Sequence, residues 1–163
     1  ITCLVETVTI DALNSSTGVD FEYEWTVINS GNILLDTFTL LPQIDLEGMY
    51  QLEITNIQNG CTSVETVEVF ANNIIPTVEA GANMTVDCNS AEVVLAGSGS
   101  VGGEFEYLWT AMNGGNILSG GTTFLPIVNG DGDYELLVTN TSSGCIQTDI
   151  VSVNVDTIPP VAV

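Results

Sequence analysis

Four cysteines are the residues whose type and spacing point most directly to covalent chemistry. Cys3 and Cys61 lie 58 positions apart, and Cys88 and Cys145 lie 57 positions apart. Four cysteines allow three pairings, and the repeated spacing favours one bridge within each half of the chain, Cys3–Cys61 and Cys88–Cys145. A tetrahedral zinc site, the alternative, needs more ligands than two cysteines without a histidine provide. The cysteines therefore predict two disulfides and an oxidising, extracellular compartment.

An acidic stretch in the second half of the chain is the candidate metal site. Its side-chain oxygens are closely spaced, and hard cations such as Ca²⁺ prefer clustered oxygen ligands. The stretch lacks the glutamate that ends an EF-hand loop, and the matching stretch of the first half has only Asp45 and Glu47. A polar turn is the alternative interpretation. We therefore expect no required cofactor, and the candidate calcium ligands are Asn129, Asp131, Asp133 and Glu135.

Two pairs of glutamates raise the question of acid–base catalysis. A paired-carboxylate hydrolase would use Glu22 with Glu24, or Glu104 with Glu106. Each pair alternates with aromatic residues, however, which is typical of the solvent face of a strand. The chain has no histidine or lysine that could activate a serine or threonine. The sequence therefore predicts a protein that is not an enzyme.

The charge of the chain is one-sided, because 21 Asp and Glu residues stand against no Lys, Arg or His among 163 residues. A phosphate backbone needs basic partners, so this segment is not expected to bind nucleic acid. An anionic membrane surface would repel it for the same reason. The apolar fraction of 45% is still sufficient for packed cores, so the chain is predicted to fold. No feature of the composition identifies a ligand.

The chain carries one domain sequence twice, which sets its organisation. Trp25 and Trp109 lie 84 positions apart, and many short motifs recur at that offset. The repeat places a first domain at residues 1–72, with its first strand incomplete, and a second domain at 73–157. Residues 158–163 are expected to begin the first strand of a following repeat, or to be a strand donated to a neighbouring subunit. The recurring motifs include Phe21-Glu22-Tyr23 with Phe105-Glu106-Tyr107, and Gly60-Cys61 with Gly144-Cys145.

Strand signals dominate both halves. Apolar and polar residues alternate with a period of two at Phe21, Tyr23 and Trp25 and at the matching positions of the second half. Turn signals such as Asn59-Gly60 separate the runs, and no stretch has a sustained helical period. About seven short strands in each copy predict an all-β protein of two tandem β-sandwich domains. The expected core residues are Trp25, Tyr50 and Leu52 in one copy and Trp109, Tyr134 and Leu136 in the other.

A core tryptophan followed by a turn and a tyrosine resembles the C-strand tryptophan and the tyrosine corner of immunoglobulin-like domains. The tyrosine motif runs from Asp45 to Leu52 in the first copy and from Gly130 to Leu136 in the second. Leu52 and Leu136 stand where antibody domains carry a cysteine, so the usual bridge between the two sheets is absent. The resemblance implies two immunoglobulin-like sandwiches of about seven strands each.

The wider pattern is similar to the immunoglobulin-like and PKD-like repeats of large secreted surface proteins of the Bacteroidetes. It combines Tyr-x-Trp-Thr, Gly-x-Tyr-x-Leu and Gly-Cys with an Asp-Thr-Ile-Pro-Pro linker at residues 156–160. The resemblance implies a structural or adhesive segment of a cell-surface stalk or filament, whose partners are identical or similar repeats joined end to end. The alternative is an accessory carbohydrate- or protein-binding module of a secreted enzyme. The stretch around Thr157 also resembles the O-glycan acceptor of such proteins, so Thr157 is a candidate glycosylation site.

Overall fold

The computed structural model describes residues 1–87 and 92–156, and every regular element among them is a β-strand. The chain divides into two compact units, of which the first is Ile1–Asn73 and the second begins at Ile74. This division falls one residue after the boundary that the repeat predicts. The strand expected at residues 158–163 lies outside the described residues. No helix in the described part of the chain is long and apolar enough to cross a membrane.

The first unit consists of two antiparallel sheets. Its strands are β1 (Val8–Thr9), β2 (Phe21–Asn29), β3 (Ile33–Leu35), β4 (Gln43–Ile44), β5 (Gly48–Asn56) and β6 (Thr62–Val69). One sheet has the order β1–β4–β3 and the other has the order β2–β5–β6. A backbone hydrogen bond of 3.0 Å from Ile10 N–H to Pro42 O continues the pairing of the first strand beyond its last residue.

The second unit repeats this plan and adds strands at its beginning. Its described strands are β7 (Val78–Glu79), β8 (Met84–Asp87), β9 (Val93–Val94), β10 (Ser98–Gly99), β11 (Phe105–Met112), β12 (Asn116–Ser119), β13 (Ile127–Asn129), β14 (Gly132–Asn140) and β15 (Ile146–Asp156). They form sheets in the orders β11–β14–β15–β8, β12–β13–β9 and β10–β7. Strand β8 pairs with β15 in parallel, and the other pairs are antiparallel.

Alternation along the long strands builds the two cores. In β2 the exposed Glu22 and Glu24 alternate with aromatic residues, and the run reaches Trp25, which is 5% exposed. The indole N–H of Trp25 donates a hydrogen bond to the backbone oxygen of Thr39 at 2.9 Å, so its polar edge is satisfied. Trp109 makes the equivalent bond in the second unit at 2.8 Å. The expected core residues are confirmed as buried: Trp25, Tyr50, Leu52, Trp109, Tyr134 and Leu136.

Each unit also has a tyrosine corner. The hydroxyl of Tyr50 donates a hydrogen bond to the backbone oxygen of Leu46, and the hydroxyl of Tyr134 donates one to the backbone oxygen of Asn129 at 2.6 Å. The ring of Tyr50 passes so close to Gly31 that a Cβ at this glycine would lie 2.7 Å from the hydroxyl oxygen. Gly31 also has a φ of 108°, a conformation that glycine adopts without strain.

The strand order is that of an immunoglobulin-like sandwich, in which strands A, B, E and D form one sheet and C, F and G the other. In the second unit, strand A corresponds to β7, strand B to β9 and β10, strand E to β13, and strand D to β12. Strands C, F and G correspond to β11, β14 and β15. The first unit has B, E and D as β1, β4 and β3, and C, F and G as β2, β5 and β6. Its described residues include no strand A. The predicted fold class is therefore confirmed.

Candidate functional site

The cysteines do not pair as their repeated spacing predicts. Cys3 and Cys145 are each disulfide-bonded, whereas Cys61 is a free and exposed thiol. The predicted Cys3–Cys61 bridge is therefore wrong. Cys88 lies outside the described residues. The predicted Cys88–Cys145 bridge is wrong as well, because Cys61 is free and a bond from Cys145 to Cys88 would leave the disulfide-bonded Cys3 without a partner among the four cysteines.

Strand β6 explains why the first bridge does not form. Cys61 immediately precedes β6, whereas Thr2, next to Cys3, pairs with Asn72 beyond the other end of that strand. A strand of this length, 8 residues, extends about 26 Å. The Cα atoms of a disulfide lie within about 7 Å of each other. The two cysteines of the first copy therefore lie at opposite ends of its last strand.

The second unit brings β8 and its last strand, β15, together in the same way. Met84 pairs with Val153 in parallel, and the pairing continues to Asp87 opposite Asp156, at the end of β15. Cys145 lies just before the beginning of β15. The register of Asp87 therefore gives no support to a bridge between its neighbour Cys88 and Cys145.

The sequence patterns did not predict this parallel contact between the beginning and the end of each unit. In the first unit it consists of the Thr2–Asn72 bridge and two hydrogen bonds. Asn72 N–H donates to Ile1 O at 2.8 Å, and the backbone nitrogen of Ile1 donates to Phe70 O at 3.0 Å. Strand-period patterns identify strands but not their partners, so they carried no signal for it. The nearest hint was the linker sequence that precedes the second copy at residues 75–78 and recurs after it at residues 159–162.

Three side chains of the acidic stretch in the second unit, those of Asn129, Asp131 and Asp133, accept hydrogen bonds from other parts of the fold. Asp131 Oδ1 accepts a hydrogen bond from the backbone N–H of Val155 at 3.1 Å. Asn129 Oδ1 accepts one from the side-chain amide of Asn116 at 2.8 Å. Within the described residues, no group of three or more His, Cys, Asp and Glu side chains is placed to hold a metal ion. The structure therefore does not bring Asp131, Asp133 and Glu135 together as a calcium site.

Asp133 is the most strongly tied carboxylate of this stretch. Its Oδ1 accepts a hydrogen bond from the hydroxyl of Ser152 at 2.6 Å, and its Oδ2 accepts one from the amide of Asn113 at 2.7 Å. These two bonds stabilise the ionised form and lower the pKa of Asp133 below its ordinary value of 3.8. The side chain links the β14–β15 pair to the turn after β11, which is a structural role.

Both glutamate pairs face solvent: Glu22, Glu24 and Glu106 lie in strands, and Glu104 lies in the turn before β11. Glu22, Glu24, Glu104 and Glu106 are all exposed, as their alternation with aromatic residues predicts. Across the sheet, Glu24 faces another carboxylate, that of Glu53. Such an arrangement repels its own members and has no basic side chain in the sequence to compensate for it.

The structure also bears on the proposed carbohydrate platform and on the candidate glycosylation site. The tryptophans are buried, so their rings form no exposed platform for stacking on sugars, and the carbohydrate-binding alternative gains no support from them. Thr157, the candidate glycosylation site, lies outside the described residues.

Several solved structures are similar to this chain at low identity. Sidekick-1 immunoglobulin domains 1–4 match with 14% identity over 93% of this chain and 47% of that chain, at a TM-score of 0.39. Titin domains z1z2, solved in complex with telethonin, match with 16% identity over 88% of this chain and 85% of that chain, at 0.38. Drosophila OTK extracellular domains 3–5 match with 15% identity over 84% of this chain and 52% of that chain, at 0.42.

The chain spans about half the length of the Sidekick-1 and OTK fragments that it matches. No protein-family model matches the sequence, and no curated protein matches it.

Proposed function

We propose that this chain is a non-catalytic segment of an extracellular stalk or filament, in which consecutive immunoglobulin-like units transmit tension along the chain. Its partners are identical or similar repeats joined end to end, as in the bacterial surface proteins whose repeats it resembles. The observation that carries the proposal is the parallel pairing of β8 with the last strand of the second unit, β15, which the isolated parallel bridge between Thr2 and Asn72 repeats in the first unit.

The parallel direction of this pairing determines how the second unit resists unfolding when its ends are pulled apart. Tension enters the second unit ahead of Met84 and leaves it after Asp156, so β8 and β15 are pulled in opposite directions along their common axis. The hydrogen bonds between them run across that axis and are sheared together. Four residue pairs, from Met84–Val153 to Asp87–Asp156, share the force. A contact that must break as a group resists tension better than one that opens bond by bond.

The chemistry of the chain fits an extracellular setting. Cys3 and Cys145 are disulfide-bonded, and structural disulfides persist in oxidising compartments. The formal charge of −21 keeps neighbouring molecules apart and favours solubility. The carboxylates that could have served catalysis lie on exposed strand faces or form hydrogen bonds within the fold. These observations support a structural role over an enzymatic one.

Single-molecule stretching of the whole chain from its two ends tests the proposal. The experiment is performed in a reductant, because a disulfide prevents the residues it encloses from extending. We expect two separate unfolding events, one for each unit. Thr85→Pro removes a backbone N–H from β8 at an exposed position and should lower the unfolding force of the second unit only. The first unit serves as the internal control in every trace.

A second variant separates mechanical resistance from thermal stability. Val93→Ala removes a half-buried methyl pair from β9, which is not paired with β15. It should lower the melting temperature while affecting the unfolding force less than Thr85→Pro does. Extension of both wild-type units without a resolvable force event would contradict the proposal. So would an unchanged unfolding force of the second unit in Thr85→Pro.

A further inference from the structure

The first unit has an open cleft beside β2, the edge strand of its sheet, and the role proposed above makes no use of it. The cleft has a volume of about 520 Å³. We propose that it binds an arginine side chain carried by an extended segment of a partner protein. Its lining combines three aromatic residues with three acidic ones: Phe21, Tyr23, Phe38, Glu22, Glu24 and Glu53.

Phe38 gives the cleft an exposed aromatic wall. The residue lies in the turn that follows β3, and its side chain is 72% exposed. A hydrogen bond of 2.8 Å from Trp25 N–H to Thr37 O fixes this turn to β2. A second cavity, of about 490 Å³, shares Phe38 and Tyr23 with the cleft. The core of the unit does not include Phe38, so its ring is available to a ligand.

The three glutamates give the cleft its negative charge. Glu22 and Glu24 are exposed on β2, and Glu53 stands directly opposite Glu24 on β5. Like charges in directly opposite positions destabilise an antiparallel pair. The chain has no Lys, Arg or His, so none of its own side chains can neutralise this cluster. A neutralising cation therefore comes from another molecule.

The lining of the cleft favours an organic cation over a metal ion. Within the described residues, no three acidic side chains are placed to hold a metal ion. A guanidinium group, by contrast, stacks on aromatic rings and donates several hydrogen bonds to carboxylates. It can therefore contact Phe38 and Glu53 together. The ammonium group of lysine is compact and strongly hydrated, and it has no flat face to stack on a ring. Arginine is thus the side chain that matches both parts of the lining.

The free edge of β2 offers backbone groups beside the cleft. Trp25 N–H points away from β5, because it donates to Thr37 O. Backbone groups of alternate residues face the same side of a strand, so the N–H and the oxygen of Tyr23 also face the open edge. None of the described strands pairs with β2 on that side. An extended segment of a partner can therefore pair with this edge and place an arginine in the cleft.

The second unit has the same scaffold without these features. The opposed glutamates of the first unit correspond to Leu108 and Leu137, which likewise stand opposite each other. Phe38 corresponds to Thr122. The other lining residues of β2 recur unchanged at 105–107. The second unit therefore lacks the aromatic wall and the paired carboxylates, and it serves as an internal control for binding.

NMR titration of the whole isotope-labelled chain with acetyl-arginine-amide at low salt tests the cleft. We expect saturable shifts of amide signals around Tyr23 and Phe38 and none at the matching positions of the second unit. Acetyl-citrulline-amide, which has nearly the same shape without the charge, should cause much smaller shifts. Phe38→Thr should raise the dissociation constant about two- to fivefold. Phe70→Thr is the matched control, because Phe70 is 71% exposed and does not line the cleft.

A peptide probe tests the strand pairing separately. The tripeptide acetyl-Thr-Arg-Thr-amide should bind more tightly than acetyl-arginine-amide and should shift the Tyr23 amide signal further. Equal affinities of the two probes would contradict pairing with the edge of β2. The signals of the second unit show in every variant that the chain is still folded.

The remaining outcomes overturn the proposal. Equal shifts with the citrulline probe would exclude charge recognition, and an unchanged affinity in Phe38→Thr would exclude the aromatic wall. Choline binding at least as tight as that of acetyl-arginine-amide would assign the cleft to a quaternary ammonium group, such as a lipid headgroup, instead of a protein side chain. Shifts spread evenly over the carboxylates of both units would mean that the cation is only a counter-ion.

Discussion

Asp149 accepts a hydrogen bond from the backbone N–H of Ala80 at 2.7 Å, although the two residues lie 69 positions apart. Ala80 is completely buried, and a hydrogen bond to a carboxylate is stronger than one to a neutral acceptor. The bond fixes the lead-in strand of the second unit to its last strand. The first unit has Glu65 at the matching position, without such a strand among its described residues. The carboxylate of Asp149 thus holds the lead-in segment of the second unit in place.

Removal of the Asp149 carboxylate should destabilise the second unit. Asp149→Leu leaves the buried N–H of Ala80 without an acceptor, and we expect a loss of about 1–3 kcal/mol in the free energy of unfolding. Glu65→Leu is the matched control and should change stability little, because the Glu65 side chain is exposed. Urea denaturation of both variants measures the effect. Equal losses in the two variants would show that the strand is not held by this bond.

The tyrosine corner should contribute measurably to stability. Tyr134→Phe leaves the backbone oxygen of Asn129 and the N–H of Asn116 without their phenol partner, and we expect a cost of about 1–3 kcal/mol. Tyr23→Phe removes a hydroxyl whose bond to Ser16 O is exposed, so its cost should be much smaller. Thermal denaturation of both variants tests this difference. A stability of Tyr134→Phe equal to that of the wild type would contradict the assigned role.

Local sequence patterns predicted the strands, the cores and the tyrosine corners, because alternation and turn residues act over a few positions. Trp25 and Trp109 are buried where the period of two places them. The disulfide pairing was not predictable in this way. It depends on whether residues 1–3 lie beside the beginning or beside the end of β6. That choice is made by the parallel contact of Thr2 with Asn72, between residues 70 positions apart. The sequence likewise could not distinguish a calcium site from a polar turn in the acidic stretch, because the hydrogen bond from Val155 N–H to Asp131 exists only in the folded chain.

The pKa of Asp133 should rise when its hydroxyl donor is removed. Ser152 is the larger cause of the lowered pKa and Asn113 is the smaller. The folded-state pKa lies below the ordinary value of 3.8, so the associated stability is present above pH 3.8 and is lost as the pH falls through the folded-state value. NMR titration of the Asp133 carboxyl should give a higher pKa in Ser152→Ala than in the wild type. Ser152→Thr, which keeps a hydroxyl, is the control. An unchanged pKa in Ser152→Ala would exclude the bond as its cause.

The carboxylates of Glu24 and Glu53 should repel each other across the β2–β5 pair, because they stand directly opposite. Glu53→Lys replaces this repulsion with an attraction, and we expect a gain of about 0.2–1 kcal/mol at low salt. The stabilisation of the chain by NaCl should also weaken, because less repulsion remains to be screened. Glu68→Lys makes the same charge change opposite Met49 and is the control. Equal gains in both variants would assign the effect to net charge alone.

The dependence of unfolding force on pulling direction tests the central claim most directly. Within one sheet of the second unit the order is β11–β14–β15–β8, so a handle at Asn113, after β11, pulls across the sheet instead of along β8 and β15. Cross-sheet pulling opens the β8–β15 bonds one after another. The reduced chain pulled from its two ends should therefore unfold its second unit at a clearly higher force than the same chain pulled between its N-terminus and Asn113. An equal or lower force in the end-to-end geometry would contradict a tension-transmitting role.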